Sequence, residues 1–287
     1  MQKNEMMNLI RKAKDRDPDA FTTLMQQKEL TDKGAAVVLK EQKDYSKLAV
    51  TDNGITITPE TIIVDENFAH IAFSVKGYDL AEGDEPGFDD WNIGVKDGKE
   101  GSSVQAYGGF YDGIVSDEDG NLEYVASIGV ADWKDSLLGK TIVCKLKDLG
   151  TLYKTRFTLA KEGNWDFEIK LPDVSTASNI KVAKGIENTP FTVDDVELSP
   201  ISIKINYSVN GEVMFKEDTN QVPQFFGVIL KDGKKISFLG DAGGTGYNEA
   251  MTEAYTLSSF VQVIEPDQVQ VIILRNDDGE QIEIPIR

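Results

Sequence analysis

Apolar residues follow two different spacings along this chain, and the spacing changes near residue 48. In the first part they recur three and four positions apart, as in Phe21, Leu24 and Met25. This is the period of an α-helix, and the preceding Asp17-Pro18 supplies an N-cap followed by proline at the first helical position. The pattern predicts a short α-helical segment over residues 1–47.

After Leu48 the spacing changes to two residues. Gly54-Ile-Thr-Ile-Thr-Pro59 and Ala69-His-Ile-Ala-Phe-Ser-Val75 alternate apolar with polar positions, which is typical of strands with one buried face. Turn-forming residues separate such runs at short intervals, in Asp65–Asn67, Lys96–Gly98, Asp119–Asn121, Lys231–Gly233 and Asp277–Gly279. Many short strands with few helical stretches predict a mainly β chain built from β-sandwiches.

The β part of the chain repeats itself. Four segments have later counterparts: Ile55–Pro59 resembles Phe191–Asp195, Ile71–Gly77 resembles Ile203–Gly211, Gly94–Lys99 resembles Gly227–Lys234, and Trp165–Leu171 resembles Gln281–Ile286. Two of the offsets agree closely, since Phe191 lies 136 positions after Ile55 and Lys231 lies 135 after Lys96. A nearly constant offset predicts two domains related by duplication.

The boundary between these domains is predicted in Pro172–Asn179, where Pro, Ser and Asn interrupt the alternation. The chain is therefore divided into a helical N-terminal segment over 1–47 and two immunoglobulin-like β-sandwiches over 48–175 and 176–287. A length of 287 residues and a hydrophobic content of 40% are sufficient for two domains with their own cores.

Charge and composition exclude several classes of function. The net charge of -19 would repel phosphate backbones, so we expect no nucleic-acid binding by the β-domains. A single cysteine, Cys144, excludes an intrachain disulfide. The N-terminus has no apolar signal-peptide region, and no apolar run approaches the roughly 20 residues of a membrane span. The chain as written is expected to be soluble.

The segment Leu9-Ile-Arg-Lys-Ala-Lys-Asp-Arg-Asp-Pro-Asp-Ala-Phe21 resembles the start of extracytoplasmic-function RNA polymerase sigma factors. In that family a first helix, a charged turn and an Asp-Ala-Phe helix start belong to the part that docks on polymerase. The promoter-melting helix and the C-terminal helix-turn-helix have no counterpart after Gln27. The resemblance therefore implies docking on polymerase as one alternative, without promoter recognition.

The rest of the chain is similar to another family. Gly54-Ile-Thr-Ile57, Leu138–Gly150 and Gly163-Asn-Trp-Asp-Phe-Glu-Ile169 resemble the immunoglobulin-like domain-of-unknown-function family 4179, and Val193–Ile205 resembles the sandwich that follows it. Members are extracytoplasmic parts of anti-sigma-type membrane proteins, behind one transmembrane helix. The resemblance implies β-domains that are extracytoplasmic in a membrane-anchored native protein, although this chain contains no such helix.

Candidate catalytic residues are few. His70 is the only histidine, and on its alternating strand it lies opposite Ile71, Phe73 and Val75, which predicts an imidazole on the strand surface rather than a catalytic base. Cys144 lies in the strand-like Thr141–Leu146 with no basic neighbour, which predicts a buried structural residue. We expect no catalytic residues and no cofactor.

Three loops were considered as ligand sites. Asp117–Glu123 is acidic but lacks the Gly and Glu spacing of a calcium loop, and is predicted to be a hairpin turn. Gly240–Gly246 lacks the Lys-Ser/Thr of a phosphate loop and is predicted to be a mobile hairpin tip. The acidic loop Glu82–Trp91 is the candidate ligand-contact loop, for a carbohydrate or a cation, with contacts from Trp91, Asp89 and Asp90 and with Trp91 stacking on a sugar.

Together these features predict a non-enzymatic sensing or interaction ectodomain of an anti-sigma-type or sigma-linked regulator of the bacterial cell envelope. Its ligand is expected to be a protein or an envelope component, bound by loops and exposed sheet edges. The first alternative is a carbohydrate-binding or adhesion module at the cell surface. A weakly active glycan hydrolase, built on a carboxylate pair, is a further alternative.

Overall fold

The computed structural model describes residues 45–79, 85–96, 104–115, 121–132, 134–153, 156–175, 177–211, 222–260, 264–276 and 278–286. Within these ranges the chain is mainly β, with two short 3-10 turns at Tyr45–Leu48 and Pro266–Gln268. The predicted N-terminal helices and the Lys96–Gly98 and Asp119–Asn121 turns lie wholly or partly outside the described residues. No helix in these ranges has the length and apolar character needed to cross a membrane.

The described residues form two compact units, 45–175 and 177–286. The strands of the first unit are Val50–Asp52 (β1), Ile55–Val64 (β2), Phe68–Lys76 (β3), Glu85–Val95 (β4), Val104–Val115 (β5), Leu122–Val130 (β6), Thr141–Tyr153 (β7) and Arg156–Lys170 (β8). They form two antiparallel sheets, one with the order β1-β2-β3-β6-β5 and one with the order β4-β7-β8.

The strands of the second unit are Ser178–Gly185 (β9), Phe191–Leu198 (β10), Ser202–Val209 (β11), Gln224–Leu230 (β12), Lys235–Ser237 (β13), Gly240–Tyr247 (β14), Glu253–Phe260 (β15), Val269–Arg275 (β16) and Gln281–Pro285 (β17). Its sheets have the orders β14-β15-β11-β10-β9 and β13-β12-β16-β17.

The two units share one strand order. Strands β1 to β8 can be matched, in order, to β9, β10, β11, β12, β14, β15, β16 and β17. With this matching the two five-stranded sheets have the same strand order, and β4-β7-β8 corresponds to β12-β16-β17. Strand β13 is an addition in the second unit. The described residues of the four repeated segments fall on, or directly after, matched strands: β2 with β10, β3 with β11, β4 with β12, and β8 with β17. The internal repeat is therefore also a repeat of topology.

In the first unit the two sheets pack face to face, as in a β-sandwich. Phe73 on β3 contacts Phe167 on β8 with ring centroids 5.1 Å apart, and Phe88 on β4 meets Tyr124 on β6 edge-on at 5.1 Å. The alternation of β8 places Trp165, Phe167 and Ile169 inside and the residues between them in solvent. This confirms a sequence pattern with one buried face.

The second unit has a continuous core between its two sheets. Val196, Ile205 and Phe260 come from the five-stranded sheet, and Val228 and Ile272 come from the four-stranded sheet. Phe225 on β12 packs on Phe260 with ring centroids 5.5 Å apart. The second unit is thus also sandwich-like.

Side-chain carboxylates close several of the predicted turns. Asp65 Oδ1 accepts hydrogen bonds from the backbone N–H groups of Asn67 and Phe68, at 2.8 and 2.7 Å. Asp232 and Asp278 likewise accept from the N–H group two residues later. These contacts stabilise the chain reversals between β2 and β3, β12 and β13, and β16 and β17.

The prediction of a mobile tip at Gly240–Gly246 is wrong, because these residues form strand β14 at the edge of its sheet. The glycines allow β14 to lie close to β15. At Gly243, φ is +146°, and a Cβ atom there would collide with the Leu257 carbonyl oxygen. Glycine is therefore required at this position by both conformation and space.

Replacing Gly243 by alanine is expected to lower the free energy of unfolding by about 1–3 kcal/mol, because a strained φ and a backbone collision must be relieved together. Gly244→Ala is the matched control, since a Cβ atom at that position meets nothing within 4 Å. Its effect should stay within about 0.5 kcal/mol. Urea midpoints of the two variants measure the difference, and equal midpoints would contradict the close approach of β14 to β15.

Candidate functional site

His70 is buried and does not lie on the strand surface, so that prediction is wrong. The side chain is 9% exposed, and its Nδ1 is 2.8 Å from the Ser127 hydroxyl. Its neighbours on this face of β3, Phe68, Ala72 and Ser74, are also buried or half-buried, so the face is covered. Burial lowers the pKa of the imidazole from 6.5 to about 4. His70 is therefore neutral near pH 7 and shielded from solvent.

The Cys144 thiol is fully buried on β7, which confirms the prediction of a buried structural residue. Burial, and to a lesser degree the charge of Asp166, raise the pKa of the thiol to about 12. The thiolate is the nucleophilic form of cysteine and is not populated at such a pKa near neutral pH. Neither Cys144 nor His70 thus has the surroundings of a catalytic group.

Asp89, Asp90 and Trp91 are on strand β4 and not in a loop, so the loop prediction is wrong for Glu85–Trp91. β4 lies at one edge of the sheet β4-β7-β8. All three side chains are exposed, Trp91 to 38%, and Asp90 lies opposite Lys147 of β7. The three predicted contacts are thus consecutive on an edge strand, where alternation directs Asp89 and Trp91 to one face and Asp90 to the other.

Metal binding has no support in the described ranges. They contain no group of three or more imidazole, thiol or carboxylate side chains arranged to hold a metal ion. Residues 116–120, which include most of the acidic run considered for calcium, lie outside those ranges.

A second cluster, in which two exposed residues flank a buried ring, was not predicted from the sequence. It consists of Phe226, Phe238 and Arg275, and we call it the aromatic–arginine surface. Phe225 and Phe226 are consecutive on β12, and a register shift against β16 occurs at this point. Phe225 packs on the core, whereas Phe226 lies outside the core cluster and contacts Phe238 and Arg275.

Phe238 follows β13 and is the most unusual residue of this surface. Its ring is 55% exposed and meets the Phe226 ring edge-on, with centroids 4.6 Å apart. Its φ is +57°, which is rare for a bulky residue. Such a conformation costs about 1–3 kcal/mol and persists where the surrounding structure enforces it. Here the adjoining Leu239 N–H donates to the Phe226 carbonyl at 3.2 Å.

Arg275 ends β16 on the other side of Phe226. The carbon of its guanidinium lies 5.8 Å from the centroid of the Phe226 ring, a cation–π arrangement. The residue is exposed, and among the described residues its guanidinium makes no ion pair within 4.0 Å. Because paired residues of a sheet share a face, its partners Gln224 and Gln281 extend the surface on both sides.

Lys235 borders the same face of the sheet. Its Nζ donates to Gln281 Oε1 at 2.9 Å, although β13 and β17 are the two outer strands.

The aromatic–arginine surface combines an exposed apolar ring, a stacked cation and two amide side chains. Aromatic residues and arginine are enriched in protein–protein interfaces, so this combination is suited to binding. One sequence signal points to it, since two consecutive phenylalanines in a strand must face opposite sides. No comparable pattern in the sequence predicts the exposure of Phe238, because that exposure depends on the φ angle of this one residue.

No protein-family model and no curated protein sequence matches the chain. A crystal structure of a conserved domain protein from Bacillus anthracis is similar, with a TM-score of 0.53 and 12% sequence identity. The match covers 85% of this chain and 94% of that chain. At this identity the likeness concerns the fold, which is mainly β and sandwich-like in this chain.

Proposed function

We propose that this chain is a non-enzymatic sensing or interaction module of an anti-sigma-type or sigma-linked regulator of the bacterial cell envelope. The observation that carries the proposal is Phe238, an exposed aromatic ring held at a positive φ between Phe226 and solvent. Strained backbone conformations cluster at binding sites, so an exposed aromatic ring at a positive φ is a candidate contact for a partner. The aromatic–arginine surface is the binding site in this proposal.

The proposal includes immunoglobulin-like folds for both units, and the strand order supports it. An immunoglobulin constant-type domain has strands A, B, E and D in one sheet and C, F and G in the other. With β2 to β8 taken as A to G, the first unit has these two sheets, and β1 adds a strand beside A. In the second unit β10, β11, β12, β14, β15, β16 and β17 take the same places.

The proposed function is non-enzymatic because of the surroundings of the two residues best suited to catalysis. His70, the only histidine, is buried with a pKa of about 4, and Cys144, the only cysteine, is buried with a pKa of about 12. A general base near neutral pH needs a pKa close to the working pH and contact with the substrate. Neither residue meets either condition.

The regulatory and envelope parts of the proposal rest on sequence resemblance. Leu9–Phe21 resembles the start of a sigma factor, and residues 48–287 resemble extracytoplasmic sandwiches of anti-sigma-type proteins. In this proposal the sandwiches bind a protein or an envelope component outside the cell, and the N-terminal segment provides the link to transcription.

Photo-cross-linking tests the proposed surface directly. A benzophenone amino acid at position 238 is expected to give discrete cross-linked products in the cells that produce this protein. Position 159 is the matched control, because Leu159 is an apolar side chain with a similar exposure of 48% on the other unit. No product at position 238, or the same products at both positions, would contradict the proposal.

A carbohydrate-binding or adhesion module is the second candidate, and Trp91 is the observation that favours it. By strand alternation the exposed indole shares a face with the carboxylate of Asp89, an arrangement suited to stacking on a sugar ring and accepting hydrogen bonds from its hydroxyl groups. Saturable quenching of tryptophan fluorescence by soluble cell-wall glycan fragments, lost in Trp91→Ala, would support this candidate. Unchanged fluorescence would exclude these fragments as ligands.

A further inference from the structure

We propose that the partner of the aromatic–arginine surface is a polypeptide segment in which a single carboxylate lies next to an apolar side chain. This inference rests on the proposed function, since it assigns a ligand chemistry to the same surface. It follows from three observations: Arg275 makes no ion pair among the described residues, amide groups lie on either side of it, and the chain as a whole is negatively charged.

Arg275 is prepared to bind a carboxylate. Its guanidinium carbon lies over the Phe226 ring, 5.8 Å from the centroid, and an arginine fork matches a carboxylate with two parallel hydrogen bonds. The chain contains 49 carboxylate side chains, yet none in the described ranges pairs with this guanidinium within 4.0 Å. As far as the described residues go, the donors of Arg275 therefore stay available for a ligand.

The neighbouring groups favour a peptide. Gln281 accepts a hydrogen bond from Lys235 through Oε1, which leaves its amide nitrogen as a donor, and the exposed Gln224 offers both a donor and an acceptor. Such amides match the alternating C=O and N–H groups of a polypeptide backbone. The exposed ring of Phe238 provides the contact for an apolar side chain beside the carboxylate.

A polyanion is disfavoured by the surrounding charge. The net charge of -19 repels a chain of phosphates, and Glu283, 55% exposed, lies on the face of Arg275. Lys235, the nearest additional cation on this face, is already in contact with Gln281 and Glu283. A single guanidinium surrounded by carboxylates can pair with one carboxylate of a ligand. We therefore propose a peptide rather than a polyanion.

Selection from a displayed library of random peptides, with the full chain as target, tests the inference. Peptides enriched by the wild-type chain should carry Asp or Glu next to Phe, Tyr, Trp or Leu. Arg275→Glu should weaken their binding by ~10- to 100-fold, as expected for loss of a charge-assisted bidentate contact. A new selection on that variant should enrich Lys or Arg in place of the acid. Lys234→Glu is the matched control, because it changes the net charge equally from an exposed turn.

The outcomes separate this inference from the proposed function. Peptides that need Phe238 but lack a carboxylate and bind Arg275→Glu equally well would overturn the inference and leave the proposed function standing. Enriched peptides whose binding is unaffected by Phe238→Ala would overturn the proposed surface itself. Self-association of the full chain that is abolished by Phe238→Ala, or tighter binding of a polyphosphate than of any peptide, would overturn the peptide assignment.

Discussion

Replacing Trp165 by alanine is expected to lower the free energy of unfolding of the first unit by about 3–5 kcal/mol. The indole is fully buried and lies between the two sheets. Its ring is 5.9 Å from that of Phe88, and its Nε1 donates to the Ile55 carbonyl at 3.2 Å. Truncation leaves a large cavity and leaves the buried Ile55 carbonyl without its donor. The free-energy costs of the cavity and of the lost hydrogen bond therefore add.

Amide hydrogen exchange in β2, β3 and β8 measures this loss, because these strands belong to the two sheets that Trp165 joins. Trp91→Ala is the matched control, since it removes the same side chain from an exposed position on β4. The control should change the free energy of unfolding by no more than about 0.5 kcal/mol. Equal losses of protection in the two variants would contradict the central place of Trp165 in the core.

Acid is expected to remove about 3 kcal/mol of stability through His70 alone. The folded pKa of about 4 lies below the unfolded value of 6.5, so between these values the unfolded chain binds a proton that the folded chain does not. This contribution is complete above pH 6.5 and is lost as the pH falls from 6.5 towards 4. The cause is burial of the imidazole, which opposes its charged form.

The variant His70→Asn isolates this effect, because it keeps a polar group near the Ser127 hydroxyl and does not titrate. The difference in unfolding free energy between wild type and variant should shift by about 3 kcal/mol between pH 7 and pH 4. NMR gives a second measure, since His70 is the only histidine and its imidazole signal is unique. A titration midpoint between pH 6 and 7 would contradict the burial.

The mainly β character of the chain could be predicted because it depends on local sequence. Alternation in β3 and β8 and aspartates at the turns act over a few residues, and the structure confirms them. The internal repeat was also readable, because equivalent strands keep similar apolar positions and two of the repeated segments have nearly the same offset, 136 and 135 positions. The predicted helices over residues 1–47 fall almost wholly outside the described residues.

The errors concern features that depend on neighbouring strands. His70 was placed on a surface because alternation gives the face of a residue but not whether that face is covered. Residues 85–91 were read as a loop for their Gly, Pro and acidic content, yet pairing with β7 extends β4 through them. Tertiary pairing outweighs low strand propensity at such positions.

The candidate site was only half predictable for a similar reason. The residue types of Trp91, Asp89 and Asp90 predict ligand contacts, and the structure places these three residues in consecutive positions on β4. The aromatic–arginine surface needs the register shift at Phe226, the positive φ of Phe238 and the position of Arg275 two strands away from β13. None of these relations is local in the sequence.

The central claim is that the aromatic–arginine surface is the binding site. Hydrogen exchange of the full chain, with and without the partner recovered by cross-linking at position 238, tests this claim most directly. The account predicts slower exchange at Gln224–Leu230, at Val269–Arg275 and around Phe238, with Glu85–Val95 unchanged. Slower exchange confined to Glu85–Val95 would contradict it and would place binding at Trp91.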